Sequence, residues 1–155
     1  MLNQRSSHTT FISWEIGTRL ETLTEIDFSN ASVFSSGYST STTPTASTLS
    51  PVLNIAKTVV NGMSSSQTQL VADGSAGDPA SIGVTVLLGN RTKATGADWD
   101  GAAERQLNAL LNLTPRTSEG AISHRTEYVQ LWSDFIYMVP PFLVRGNAHV
   151  LRTVF

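Results

Sequence analysis

An all-α fold is predicted by three features of this 155-residue chain. Apolar residues recur at helical spacing in several segments, and helix starts are marked by Ser-Pro, Asp-Pro or a lone Asp. No two alternating segments flank a tight turn as a β-hairpin would require. Helical segments separated by breakers point to antiparallel helix pairs, and the length is enough for one domain with a real core. No fixed repeat length argues for a solenoid.

The elements follow in order. Residues 1–11 are polar and are expected to be irregular. From Ser13 to Asp27 the residues Ile16, Leu20, Leu23 and Ile26 share one helical face, with Ser13 as the N-cap and Glu15 in the first turn. Gly17 costs this helix about 1 kcal/mol relative to Ala unless a neighbour must pack close there. Residues 29–50 are dominated by serine and threonine with Gly37 and Pro44 as breakers, which predicts a surface loop anchored by Val33-Phe34. Ser50-Pro51 opens a second helix through Val52, Ile55, Ala56, Val59 and Val60, ended by Gly62. Residues 63–77 form a further loop.

Asp78-Pro79 repeats the cap-and-proline device ahead of ASIGVTVLLG. So short an apolar run is ambiguous between strand and helix, and its start and stop signals favour helix. Asp98 caps the next helix, in which Trp99, Ala102, Ala103, Leu107, Leu110 and Leu111 form a stripe while Asp100, Glu104 and Arg105 face water. Thr114-Pro115 ends it. A loop of some fifteen residues carrying His124 and Arg125 leads to a last helix near Ser133, where Pro140-Pro141 predicts a kink or early break. Residues 144–155 lose clean periodicity and read as an irregular tail.

Composition narrows the function classes. The net charge is −2, charged residues make up 14% of the chain, and no basic run exists, which argues against a nucleic-acid groove or a polybasic membrane patch. No window approaches the ~20 apolar residues of a membrane span. With no cysteine, thiol chemistry and disulfides are excluded. His8, His124 and His149 lack metal-motif spacing, so no metal is expected. Sequons at Asn30, Asn90 and Asn112 hint at secretion, while MLNQRSSHTTFIS lacks the apolar core of a secretory signal.

The chemistry concentrates between Gly120 and Leu143. Tyr128, Trp132, Phe135, Tyr137 and Phe142 surround His124, Arg125, Glu127 and Asp134. A carboxylate among apolar side chains is a candidate general acid, because desolvation raises its pKa. Aromatic faces beside a few charges also suit a sugar. Asp134 equally suits the first turn of a helix, where negative charge favours the macrodipole.

This stretch resembles the signature of the six-hairpin glycosidases. The resemblance is to the unsaturated glucuronyl and rhamnogalacturonyl hydrolases of glycoside hydrolase families 88 and 105, in their fungal form. It is carried by Ile122-Ser123-His124-Arg125, Gln130-Leu131-Trp132-Ser133-Asp134 and Tyr137-Met138-Val139-Pro140-Pro141-Phe142-Leu143. The upstream segments Ile12–Thr18 and Asp73–Gly83 fit the same pattern, so residues 12–143 would be one domain of this type. The resemblance implies an (α/α)6 barrel of six helical hairpins, acting without metal or organic cofactor. It implies removal of a 4,5-unsaturated uronic acid from oligosaccharides made by polysaccharide lyases, through acid-catalysed hydration of the double bond. Asp134 matches the acid/base, with Trp132 and Tyr137 as pocket walls. His124 and Arg125 would hold the uronate carboxylate or a hydroxyl, or else clamp the loop to a helix end. Asp78 would be a supporting carboxylate, or only a helix cap.

A barrel of this kind needs about twelve helices, and at the usual ~10–14 residues per helix this chain has room for four or five. The expectation is an N-terminal fragment holding the first hairpins, inactive by itself and self-associating through exposed apolar faces. The resemblance implies an extracellular enzyme with an oligosaccharide substrate. The alternative is a non-catalytic helical module that binds carbohydrate or itself.

Overall fold

The ambiguous apolar run is the helix on which the others pack. In the computed structural model, which describes residues 12–35 and 44–154 with side chains through Gly146, five α-helices are present. They are α1 (Ser13–Asp27), α2 (Ser50–Gly62), α3 (Gly77–Arg91), α4 (Trp99–Asn108) and α5 (Phe135–Val154). A 3-10 turn at Ser29–Ala31 follows α1, and a π turn at Ala109–Leu113 extends α4. The described residues form no strand, only isolated bridges at Ser75–Arg125 and Arg116–Ile122. The chain is all-α. The tail expected at 1–11 and the breaker at Gly37 lie outside the described residues.

Helix α3 packs against all four other helices, most extensively against α1 and α5. Its residues from Pro79 to Gly89 are all buried, so it has no polar face. A helix enclosed on every side cannot display amphipathic periodicity, which is why the sequence pattern there was ambiguous. Small residues let its neighbours approach. A methyl on Gly83 would lie 2.6 Å from the Phe142 ring of α5, and one on Gly89 would lie 2.6 Å from the Trp99 indole of α4.

Helix α1 presents Ser13, Gly17, Leu20 and Thr24 to the core, a 3.6-residue stripe displaced from the one expected. The reason is the crossing point: Gly17 lies directly on Ser81 of α3, and this close approach fixes the buried face. Ile16 and Leu23 pack at its margin, while Ile26 is 75% exposed. Ile12, not Ser13, precedes the first turn, and its N–H donates to Glu15 Oε2 at 3.2 Å. The loop after α1 is anchored by buried Ala31 and Ser32 rather than by Phe34, which points outward. The Ala31 carbonyl accepts from Nη2 of the buried Arg145 at 2.6 Å, tying this loop to α5.

Helices α1, α3 and α5 run in the same direction. Ser13 pairs with Asp73 just before α3 and Gly17 meets Ser81; Gly77 lies near Phe135, and Gly83 near Phe142. Helix α4 runs back: Trp99 meets Gly89, while Gln106 Oε1 accepts from the Leu70 N–H at 2.9 Å. Its side-chain cap is Asp98, which accepts from the Gly101 N–H at 3.0 Å. The π turn carries Leu111 outward while keeping Leu110 buried.

The early break expected as one outcome at Pro140-Pro141 and the irregular tail expected over residues 144–155 are corrected. Helix α5 passes through Pro140-Pro141 without ending, and it continues over residues 144–154. Each proline removes a main-chain donor, at a cost of about 3 kcal/mol in a free helix. The cost is offset by burial of Val139, Phe142 and Arg145 against α3, spaced three apart on one face. Pro140 itself is exposed.

The crossing of α1 on α3 gives a stability prediction. In Gly17→Ala the new methyl would run into Ser81 Oγ and lie 2.8 Å from Ser81 Cβ. Overpacking of this kind costs ~1–3 kcal/mol. Gly62→Ala, whose methyl meets nothing within 4 Å, serves as the control and should hold or raise stability. Denaturant melts of the two variants make the comparison.

Candidate functional site

Three helices begin at one end of the fold, and of the residues singled out in the sequence Asp78, His124, Arg125, Trp132 and Asp134 gather there around the turn Asp73–Asp78, while Tyr137 does not. The turn is shaped by its own side chains. Asp73 Oδ1 accepts from the Ser75 N–H at 3.3 Å, and its Oδ2 accepts from the N–H of Ser13 at 3.2 Å and from the Ser13 hydroxyl. Ser75 Oγ then accepts from the Asp78 N–H at 3.0 Å. Asp78 therefore lies inside the first turn of α3, and the side-chain cap is supplied by Ser75.

The loop from Thr114 to Asp134 clasps this turn. The His124 carbonyl accepts from the N–H groups of Ala76 at 2.7 Å and Gly77 at 3.4 Å, and Thr126 donates through N–H and hydroxyl to the Gly74 carbonyl. Ser123, fully buried, organises the loop: its Oγ accepts from the N–H groups of Arg125 and Gln130 and donates to the Tyr128 carbonyl, each at 3.0 Å. The His124 N–H donates to the Gln130 carbonyl at 2.7 Å.

The His124 side chain is only 2% exposed. Its Nε2 lies 3.3 Å from Asp78 Oδ1 and 3.4 Å from Ser75 Oγ, while Nδ1 is buried without a hydrogen-bond partner. One ring face stacks on Trp132 with centroids 4.5 Å apart and planes 1° apart, and Phe135 meets it edge-on at 6.1 Å. A side chain at position 77 would strike this ring, since a methyl there lies 2.8 Å from Nδ1. Glycine is required by that contact. Trp132 is pinned further by its Nε1–H, which donates to Gln130 Oε1 at 3.0 Å, and it remains 48% exposed.

The carboxylates are placed differently from the sequence expectation. Asp134 is exposed, in the turn just before α5, where its carbonyl accepts from the Tyr137 N–H at 2.9 Å. The apolar enclosure expected around Asp134 is therefore absent, and desolvation falls on Asp78 instead. Burial holds the Asp78 pKa above the ordinary carboxyl value; His124 opposes this, and the charges of Asp73 and Asp134 add to it. Arg125 is half-buried with its guanidinium over Gly74, where a methyl would lie 3.1 Å from Nη2. Gly74 has φ +82°, so glycine there serves both the turn and this approach. Tyr137 is 69% exposed and faces a second feature.

That feature is a cleft of ≈ 340 Å³ between α1, α3 and α5, lined by Glu21, Glu25, Phe34, Thr85, Tyr137 and Arg145 among others. Burial, with a contribution from the charge of Glu25, pushes Glu21 up to about 7. Nothing in the sequence singled out Glu21 or Arg145; the only signal was like charge at i and i+4 on α1. Asp73 and Ser75 were also missed as organisers, although their Asp-Gly-Ser context is a turn signal.

Comparison with family models, with curated proteins and with solved structures returned no match. Among the described residues no helix is long and apolar enough to cross a membrane, and no group of three or more His, Asp or Glu side chains could hold a metal ion.

Glu21 yields a pH prediction. Its folded pKa lies above the unfolded value of 4.5, so the folded chain binds the proton more tightly and stability falls as pH rises from about 4.5 to about 7. Glu21→Gln should therefore stabilise the chain at pH 8, by ~1 kcal/mol after allowance for partial exposure, and leave it unchanged at pH 4. Thermal melts at the two pH values make the test.

Proposed function

We propose that the end of the helix layer around Asp78 and Asp134 is the sugar site of an α/α-barrel protein of the unsaturated uronyl hydrolase type. Its substrates are oligosaccharides ending in a 4,5-unsaturated uronic acid, as lyases release from pectin or rhamnogalacturonan. The observation that carries the reading is the convergence of two carboxylates in unlike settings, Asp78 half-buried and Asp134 exposed, beside an exposed Trp132 face. Parallel α1, α3 and α5 side by side, with α2 and α4 packed on α3 as well, are consistent with an arc of an (α/α)6 barrel. Further helices would be needed to close it.

In this reading Asp134 gives its proton to C4 of the double bond. Water adds at C5 and returns a proton to the Asp134 carboxylate. The resulting hemiketal opens, and the sugar on the reducing side leaves with the hydroxyl at its former linkage. The net change is addition of one water, and the steps draw on no metal or organic cofactor. Asp78, whose pKa burial holds above the ordinary carboxyl value, stands beside the acid as a supporting carboxyl. Arg125, whose guanidinium has no hydrogen-bond or ion-pair partner among the described residues, supplies the cation for the uronate carboxylate. The exposed face of Trp132 carries an apolar sugar face. His124 is closed off from direct contact with such a ligand, and its part is to hold the loop on α3.

A second reading has its own support. Asp134 is exposed, and α5 offers Ile136, Tyr137 and Val144 to solvent, each more than 60% exposed. That arrangement suits a non-catalytic helical module that binds oligosaccharide or a second copy of itself.

Two measurements on one substrate separate the readings. The hydrolase reading expects loss of the double-bond absorbance, reduced ~100-fold or more in Asp134→Asn, with calorimetric affinity nearly unchanged. Full turnover in Asp134→Asn would remove that residue from the acid role. Binding without any turnover by a chain that also carries the helices needed to close the barrel would favour the non-catalytic module.

A further inference from the structure

His124 touches two groups that the proposed site uses for different purposes. Its Nε2 meets Asp78 Oδ1 at 3.3 Å, and its ring face lies flat on the inner face of Trp132. Its main chain is held at both ends, by α3 through Ala76 and Gly77 and by Gln130, whose side chain also grips the Trp132 indole. The ring therefore has no room to turn, and Gly77 is the residue that leaves space for it.

The placement also selects a tautomer. Nδ1 is buried with no acceptor in reach, so a proton there would be a desolvated donor without a partner. A bare Nδ1 lone pair in the same place is the lesser penalty. In the neutral ring the proton belongs on Nε2, where the Asp78 carboxylate accepts it.

We infer that His124 is a positioning residue with two separable roles: its Nε2–H fixes the Asp78 carboxylate, and its ring face seats Trp132. Neither role requires contact with a ligand. The inference rests on the reading of Asp78 and Trp132 as parts of a sugar site. Its test needs no substrate, so a chain that hydrolyses nothing can still pass or fail it.

Two substitutions divide the roles in the full chain. His124→Phe keeps a ring against Trp132 and removes the donor, whereas His124→Gln keeps an Nε2 donor at similar reach and removes the ring. In His124→Phe the titration midpoint of the Asp78 carboxyl, followed by carbon NMR, should move up. The Trp132 indole resonance, assigned by its loss in Trp132→Phe, should stay in place. In His124→Gln the indole resonance should move and the Asp78 midpoint should stay. Both readouts moving together in both variants would mean a merely structural histidine and would overturn the inference. Should neither variant fold, nitrogen-15 imidazole correlations in the parent chain decide: Nε2–H is expected, and an Nδ1–H tautomer overturns the account.

Discussion

The start of α3 is the constraint on which the rest of this structure depends. A helix leaves its first N–H groups without intrahelical partners, and ordinarily water or a side chain satisfies them. Here the helix is buried along most of its length, so water has little access to its first turn. The Ser75 hydroxyl takes one of these donors, and the His124 carbonyl serves Ala76 and Gly77 just ahead of it. Once that carbonyl is committed, the loop before α5 cannot lie loosely on the surface. Its direction fixes where Trp132 and Asp134 emerge and where α5 begins.

The same clasp explains how two aspartates come to differ. Asp78 belongs to the buried helix and shares its enclosure, so its charged form is disfavoured. Asp134 belongs to the turn that the clasp delivers at the rim, and it stays in water. Neighbouring charge couples them, since Asp73 and Asp134 both raise the Asp78 pKa.

Much of this was legible in the sequence where local rules apply. The bounds of α1 and α2, the Asp98 cap and the density of chemistry between Gly120 and Leu143 all follow from spacing, caps and composition. What escaped was set by contacts between distant segments. The buried stripe of α1 is displaced because Gly17 meets Ser81, and no pattern within α1 reveals that. Helix α5 survives two prolines and continues past Leu143 because α3 packs along it, a tertiary gain invisible to local propensity. The enclosed carboxyl is Asp78 rather than Asp134, since enclosure depends on which helix is surrounded. His124 stood out as a polar residue among aromatics, but its commitment to α3 is a relation between segments.

In the proposed site, the Asp78–Asp134 end of the helix layer takes an unsaturated uronide between Arg125 and the outer face of Trp132. The most direct measurement is a chemical-shift titration of the isotope-labelled chain with a lyase-generated unsaturated oligosaccharide. Shifts confined to the Trp132 indole, the Arg125 side chain and the Gly74–Asp78 amides, saturating with ligand, are the predicted result. Shifts that centre instead on the cleft of Glu21 and Tyr137, or none at all, would contradict it.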